Sequence, residues 1–431
     1  MQTSFIDGDL LYRQHIFEVP LDYAQPETQT ISVFAREVVD LARQNDNLPW
    51  LVYFQGGPGF PSPRPDSRSG WLKRALQQYR VLLLDQRGTG NSTVISHQTL
   101  AHMSASEQAE YLSHFRADNI VRDAETIREK LGVKQWATLG QSFGGFCSLT
   151  YLSFYPQSLS RAYITGGVPS LSRHADEVYQ ATYQRVQDKN DAFFAQFPSA
   201  QVQCQKIADY LLDNDVRLPN GQRFTVEQFQ MIGINLGRSN ANVPMYYLLE
   251  EAFVEANGKE TLSYTFLNAM LAEQSYQTNP IYAILHEPLY SQHSASNWSA
   301  HRVRDSFPQF NYQKGEAFQF TGEMVYPWMF EQFECLKPLQ EAANLLAERT
   351  DWPQLYNAEA LANNTVPVAC AVYAEDMYVE MEYSLETLKG IPNSKAWITN
   401  EYEHNGLRAD GERILDKLMK MAEGISNLPK S

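Results

Sequence analysis

Hydrophobic and polar positions change rhythm along this chain, and each change marks an element. His15 to Val19 and Thr30 to Val39 alternate and carry Val, Ile and Phe, with turn residues from Asp22 to Glu27 between them. That pattern predicts an antiparallel hairpin. Trp50 to Phe54 and Val81 to Leu84 are short, continuous apolar runs. Such runs suit strands covered on both faces of a parallel sheet. Trp71 to Gln78 reads as a short helix between them. Ser106 to Leu131 places Tyr111, Leu112, Phe115, Ile120, Ala124, Ile127 and Leu131 at helical spacing, and Gly132 is a suitable stop. Trp136 to Leu139 is another apolar run, Phe146 to Phe154 is helix-capable, and Ala162 to Thr165 is the next strand. Strand and helix alternate, which predicts a parallel α/β sheet.

The rhythm shifts after about Leu171. As far as Asn363 it is mostly helical and polar-aromatic: Asp176 to Phe197, Val202 to Leu212, Thr225 to Leu236, Met245 to Ala256, Phe266 to Glu273 and Phe330 to Arg349. Strand character returns at Val366 to Tyr373, followed by a helix near Met381 to Leu388 and a short strand at Ala396 to Ile398. Leu407 to Glu423 is a closing amphipathic helix with Ile414, Leu415, Leu418 and Met421 on one face. The expected organisation is therefore a split α/β domain, 1–170 and 364–431, around an inserted helical cap, 171–363.

Composition narrows the function classes. With 431 residues the chain can bury a large core. A net charge of −15 repels phosphate backbones, so no nucleic-acid partner is expected. Cys147, Cys204, Cys335 and Cys370 share no C-x-x-C spacing, which argues against a zinc site or a disulfide framework and for free thiols in a reducing cytoplasm. His286, His293 and His301 form no recognisable ligand set, so no metal or cofactor is expected. Met1 to Leu10 lacks a basic segment and a long apolar stretch, and no run approaches membrane-spanning length. The expected location is the cytoplasm.

Four loops carry chemistry. Gly140-Gln141-Ser142-Phe143-Gly144 reads G-x-S-x-G between a strand and a helix, the setting of a nucleophile elbow. Gln55-Gly56-Gly57-Pro58-Gly59 follows a buried strand, where a backbone N–H can complete an oxyanion hole. A serine alcohol needs an adjacent base, itself oriented by a carboxylate. Of nine histidines, only His404 lies on the loop after the last strand. Asp376 and Glu375 compete for the acid, and Asp376 sits further onto its loop. Ser142, Asp376 and His404 then follow the Ser–acid–His order of α/β-hydrolases. A fifth loop, Asp85 to Ser92, is expected to be held beneath the site by an Asp85–Arg87 pair, with a general-base role for Asp85 as the lesser reading.

These segments, with Glu375-Asp376-Met377-Tyr378-Val379 and Glu403-His404-Asn405-Gly406, resemble the prolyl aminopeptidases (proline iminopeptidases) in their longer bacterial form. The resemblance implies an α/β-hydrolase fold, a mostly parallel central sheet flanked by helices with a large inserted helical cap. It implies release of an N-terminal proline through a Ser142–His404–Asp376 triad, with oxyanion donors at Gly57 and Phe143. Gln55 stands where the family usually has histidine; the donor there is backbone, so the function should survive. His286 to Tyr290 and Phe320 to Phe330 resemble the family's cap segments that bind the substrate amine, which makes Glu287 and Glu323 the candidates. A desolvated ammonium requires such an anionic partner. Phe143, Tyr326 and Trp328 are candidates for an apolar pocket around a pyrrolidine ring. The implied partners are peptides with a free N-terminal proline, and assembly as a homo-oligomer is compatible with the chain. Two other classes stay in view: a serine esterase or lactonase on the same fold, and a hydrolase-fold binding module that has lost its chemistry.

Overall fold

The computed structural model describes residues 3–424. Residues 1–2, at the start of the stretch weighed as a leader, and 425–431, at the end of the expected third segment, lie outside the described residues. The strands are β1 Ser4–Asp7, β2 Leu10–Pro20, β3 Thr30–Asp40, β4 Trp50–Phe54, β5 Arg80–Leu84, β6 Trp136–Gln141, β7 Leu159–Thr165, β8 Phe253–Ala256, β9 Lys259–Leu262, β10 Val368–Tyr373 and β11 Ser394–Thr399. Nine of them form one sheet in the order β1-β2-β3-β5-β4-β6-β7-β10-β11. Contacts from β1 to β5 through β2 and β3 are antiparallel, and β5-β4-β6-β7-β10-β11 are parallel.

Both faces of the parallel strands are covered, and this is why they read as unbroken apolar runs. Side chains alternate across a strand. Leu51 and Tyr53 join Leu72, Ile414, Leu415 and Leu418 on one face, while Val52 and Phe54 join Ile120, Ile127, Phe146 and Leu149 on the other. The helix Gly411–Ala422 buries Ile414, Leu415 and Leu418 of the expected stripe, with Met421 half-buried and Met419 buried beside them, and packs on the helix Gly70–Ala75.

The chain passes from β4 to β5 on one side and then returns to place β6 on the other. Strand order reverses at that point, and the carboxyl ends of neighbouring strands open a crevice there. The Gln55–Gly59 loop after β4 and the Ser142 turn after β6 both lie at this crevice, with Phe54 paired to Gly140 in register.

Several elements differ from their sequence reading. The helix expected over Ser106 to Leu131 is two, Ala105–Ser113 and Ala117–Lys130. The break releases the His114 carbonyl, which accepts from Arg87 Nη1 at 2.8 Å and Asn119 Nδ2 at 3.1 Å. Buried Arg87 is paired to Asp123, Nε to Oδ2 at 2.7 Å, and not to Asp85. Asp85 is held by Arg64 (Nη1, 2.8 Å) and by the N–H groups of Ser62 and Asn91. Its carboxylate is thus committed to shaping the loop, and the lesser reading as a base has no proton to take there.

Between β7 and β10 the chain leaves the sheet for a layer built on Ala175–Gln196 and Pro198–Asp213 and many shorter helices. It is not wholly helical. The helix expected over Met245 to Ala256 ends at Glu250, and β8 and β9 form a hairpin. Asn257 and Gly258 turn it, both at positive φ (53° and 73°), an Asn-Gly turn that the sequence carries openly. The helix expected over Phe330 to Arg349 is broken into Met329–Gln332, Lys337–Leu339 and Gln340–Glu348, with Pro338 in the first turn of the second piece. Among the described residues, no helix is long and apolar enough to cross a membrane.

Candidate active site

Ser142 sits between β6 and the helix Phe143–Phe154 at φ 54° and ψ −125°, outside the regions an L-residue prefers. Such a position is retained only where its surroundings enforce it. A side chain at Gly144 would collide with the Phe54 carbonyl, so the helix can approach β4 only through glycine. The turn lifts Ser142 Oγ to 2.9 Å from His404 Nε2. His404 Nδ1 lies 2.7 Å from Asp376 Oδ2. Asp376 is fixed in turn, because its Oδ1 accepts from the N–H groups of Tyr378 at 2.8 Å and Val379 at 3.0 Å. The Tyr378 ring packs on the His404 ring, centroids 4.5 Å apart.

Glu375 points elsewhere. Its carboxylate is 65% exposed and meets Lys189 at 3.3 Å, and Lys189 also holds Glu403 at 2.6 Å. Adjacent acids in the sequence thus occupy opposite environments, one on the histidine and one on the surface. Burial pushes the His404 imidazolium down in pKa, but the charge and hydrogen bond of Asp376 outweigh it, and the net shift is upward. Glu323 adds to the rise and Arg238 opposes it.

A cavity of about 660 Å³ opens over Ser142 and His404, in the size range of small-molecule sites. Gly56 and Gly57 line it from below; Tyr276, Tyr282, Glu323 and Phe333 line it from the cap side. Phe143 is the first residue of its helix, so its N–H is not used by the i−4 ladder. Gln55, which replaces the expected histidine, accepts from Tyr53 through its side chain and from Gln86 through its backbone carbonyl. It holds the loop without presenting a charge.

The cap candidates separate. Glu323 faces the cavity with its carboxylate 16% exposed, bound by the Tyr282 hydroxyl and 3.9 Å from His286 Nε2. Glu287 is not brought to the cavity wall. Its two oxygens accept from the N–H groups of Ser299 (2.9 Å) and Ala300 (2.8 Å), capping the short helix Ser299–Val303. Its burial raises its pKa in spite of those bonds. Tyr326 is buried, its hydroxyl 2.9 Å from that of Tyr183, and Trp328 stacks on it at 5.7 Å. The Phe143 ring packs on Phe146. These three rings belong to the packing behind the cavity and do not line it.

The family model described as the alpha/beta hydrolase fold matches residues 49–407. A proline iminopeptidase of Aeromonas sobria is 60% identical over 409 residues, covering 94% of this chain and 95% of that protein. A proline iminopeptidase of Aspergillus aculeatus is 34% identical over 421 residues, covering 94% and 92%. The chain belongs to the proline iminopeptidase family of α/β hydrolases. A solved proline iminopeptidase of Mycobacterium smegmatis aligns over 95% of this chain and 98% of that one, at 12% identity and a TM-score of 0.45.

Among the residues of this family member's cavity that escaped the sequence reading are Tyr282, Tyr378, Arg238 and Arg408. Tyr378 had a signal, standing two residues after Asp376, where an aspartate side chain binds backbone N–H groups. Tyr282 had none, because its hydroxyl finds Glu323 forty-one positions away. Among the described residues there is no cluster of three or more ligating side chains suited to a metal ion.

Proposed function

We propose that this protein is a serine exopeptidase that releases an N-terminal proline from peptides through an acyl-enzyme. The observation that carries this reading is a hydrogen-bonded Ser142–His404–Asp376 chain in the same cavity as the half-buried carboxylate of Glu323.

The hydrogen bonds along Ser142, His404 and Asp376 support the first proton transfer, and the rest follows from the chemistry of the acyl-enzyme. Ser142 Oγ attacks the carbonyl carbon of the first residue while His404 Nε2 takes its proton. Asp376 holds Nδ1–H and stabilises the imidazolium. The N–H groups of Gly57 and Phe143 receive the carbonyl oxygen as it becomes negative, each typically worth ~10²–10³ in rate. His404 then protonates the leaving amine, the peptide bond breaks, and the shortened peptide departs. Water repeats the sequence on the proline ester and frees Ser142. Glu323 pairs with the ammonium of the proline, and Tyr282 fixes the carboxylate that does so. A neutral pocket, as an esterase or lactonase would use, has no need of a carboxylate there.

The test is charge removal with shape retained. Glu323→Gln is expected to lower kcat/KM for a proline arylamide about tenfold to a hundredfold, the worth of a charge-assisted hydrogen bond. Hydrolysis of a simple ester without an amine should scarcely change. Equal losses on both substrates would make Glu323 structural and would sink the assignment.

The direction of the His404 shift makes a second expectation. His404 must be neutral at Nε2 to accept the serine proton. Because its pKa is raised, mainly by Asp376 against the pull of burial, the acid limb of kcat/KM should lie above that of an ordinary histidine. Activity is lost as pH falls through that limb. Glu323→Gln should move the limb downward, since Glu323 contributes to the rise. A pH–rate profile of wild type and variant measures this, and a limb at the same pH in both would contradict it.

A further inference from the structure

The charge inside the cavity runs against that of the protein. The chain carries −15 overall, yet the cavity wall holds Arg64, Arg238 and Arg408 against Glu273 and Glu323. Arg64 is neutralised by buried Asp85. Glu273 accepts from Asn235 Nδ2 at 2.9 Å. Arg238 and Arg408 are exposed, and among the described residues neither guanidinium has a hydrogen-bond or ion-pair partner. They come from different layers. Arg408 lies on the short helix Gly406–Ala409, just past His404, and Arg238 follows the cap turn Met231–Gly237. Arg238 is close enough to oppose the upward shift of His404 and to act on Tyr378 and Tyr276.

In a chain rich in carboxylates, two unpaired guanidinium groups at the mouth of one cavity are suited to a carboxylate that arrives with the ligand. Each offers a planar fork of donors matched to that group. We propose that Arg238 and Arg408 form a carboxylate subsite on the leaving-group side of the scissile bond. This deepens the peptidase reading above and rests on it. Glu323, the less exposed group, takes the ammonium; the exposed arginines take the anion at the open end. The substrate class is then a short zwitterionic peptide: proline, one or two further residues, and a free carboxylate. An acidic side chain on the second residue offers the same chemistry from a second source.

Matched substrates separate these. Prolyl-glycine and prolyl-glycyl-glycine are each compared with their C-terminal amides, and prolyl-glutamic acid amide, bearing only a side-chain carboxylate, with prolyl-glycine amide. kcat/KM is measured for wild type, Arg238→Gln, Arg408→Gln and the double variant. Wild type should favour the carboxylate-bearing member about tenfold, less at high salt, as expected for a partly exposed charge-assisted contact. In the double variant the ratio should approach one; the amide serves as the internal reference in each protein, whatever loss it suffers itself. Preference for the free acids places the carboxylate at the C-terminus, and preference for the glutamyl amide places it on the side chain. The subsite is overturned if no carboxylate-bearing member is favoured, or if the ratio survives in the double variant. A wild type that cleaves neither member of any pair overturns the peptidase reading instead.

Discussion

Ser142→Ala should lower kcat on a proline amide by ~10⁴–10⁶, because the members of such a unit fail together. The fold should survive. Ser142 Oγ makes no cap bond to its helix, and the turn is enforced by the glycine-mediated approach of that helix to β4. Alanine meets the same backbone constraint at φ 54° that serine meets. The expected thermal midpoint is therefore close to that of the wild type. The checks are steady-state turnover and a melting curve on the same preparation. Retention of near-full activity would dismiss Ser142 as the nucleophile, and collapse of the midpoint would show that the loss was one of folding.

The next largest effect is expected at Asp376. Asp376→Asn keeps an oxygen for the N–H groups of Tyr378 and Val379, so the loop should hold. What changes is the atom facing His404 Nδ1, 2.7 Å away. An amide N–H₂ there favours the tautomer that carries its proton on Nε2, which cannot accept from Ser142. The loss in kcat should approach ~10⁴. The acid limb should also fall, because Asp376 is the main source of the upward shift that overcomes burial. Glu375→Gln is the paired control. Its carboxylate is exposed and faces Lys189, so activity should change little. A severe loss at Glu375 with a mild one at Asp376 would exchange their roles.

The carboxylate pair shows where local reading reaches its limit. Asp376 and Glu375 are neighbours in one loop, and the sequence ranks them only by chain position and side-chain length. Geometry separates them, since a one-residue step turns one side chain to His404 and the other to Lys189. Asp85 and Arg87 make the same point from the other direction. Two residues apart and opposite in charge, they read as a pair, yet each finds a distant partner, Arg64 and Asp123. The chain turns at Arg87, which parts the two side chains, and buried charges are paired by whatever the fold brings near.

The sequence by itself determined the parallel strands of the sheet and the loops at their carboxyl ends, though not the edge strand Ser4–Asp7. Continuous apolar runs made the parallel strands visible, and small residues around Ser142 declared a strand-to-helix turn that few other sequences can make. Ser142, Asp376 and His404 were legible because each lies on a loop whose place follows from the strand before it. The cap was decided by tertiary structure. Beyond Ala175–Gln196 and Pro198–Asp213 its segments are short helices interrupted by Pro and Asn-Gly, where hydrophobic period says little about direction. Glu287 and Glu323 were both candidates in sequence, with the apolar flank favouring Glu323, and backbone N–H groups claimed Glu287 while a cavity received Glu323. Tyr326 and Trp328 read as a pocket lining and became packing. The physical reason is common to all of them. A strand's apolar run and the turn residues that end it are written in neighbouring positions, whereas the direction of a cap side chain depends on contacts with residues tens to hundreds of positions away.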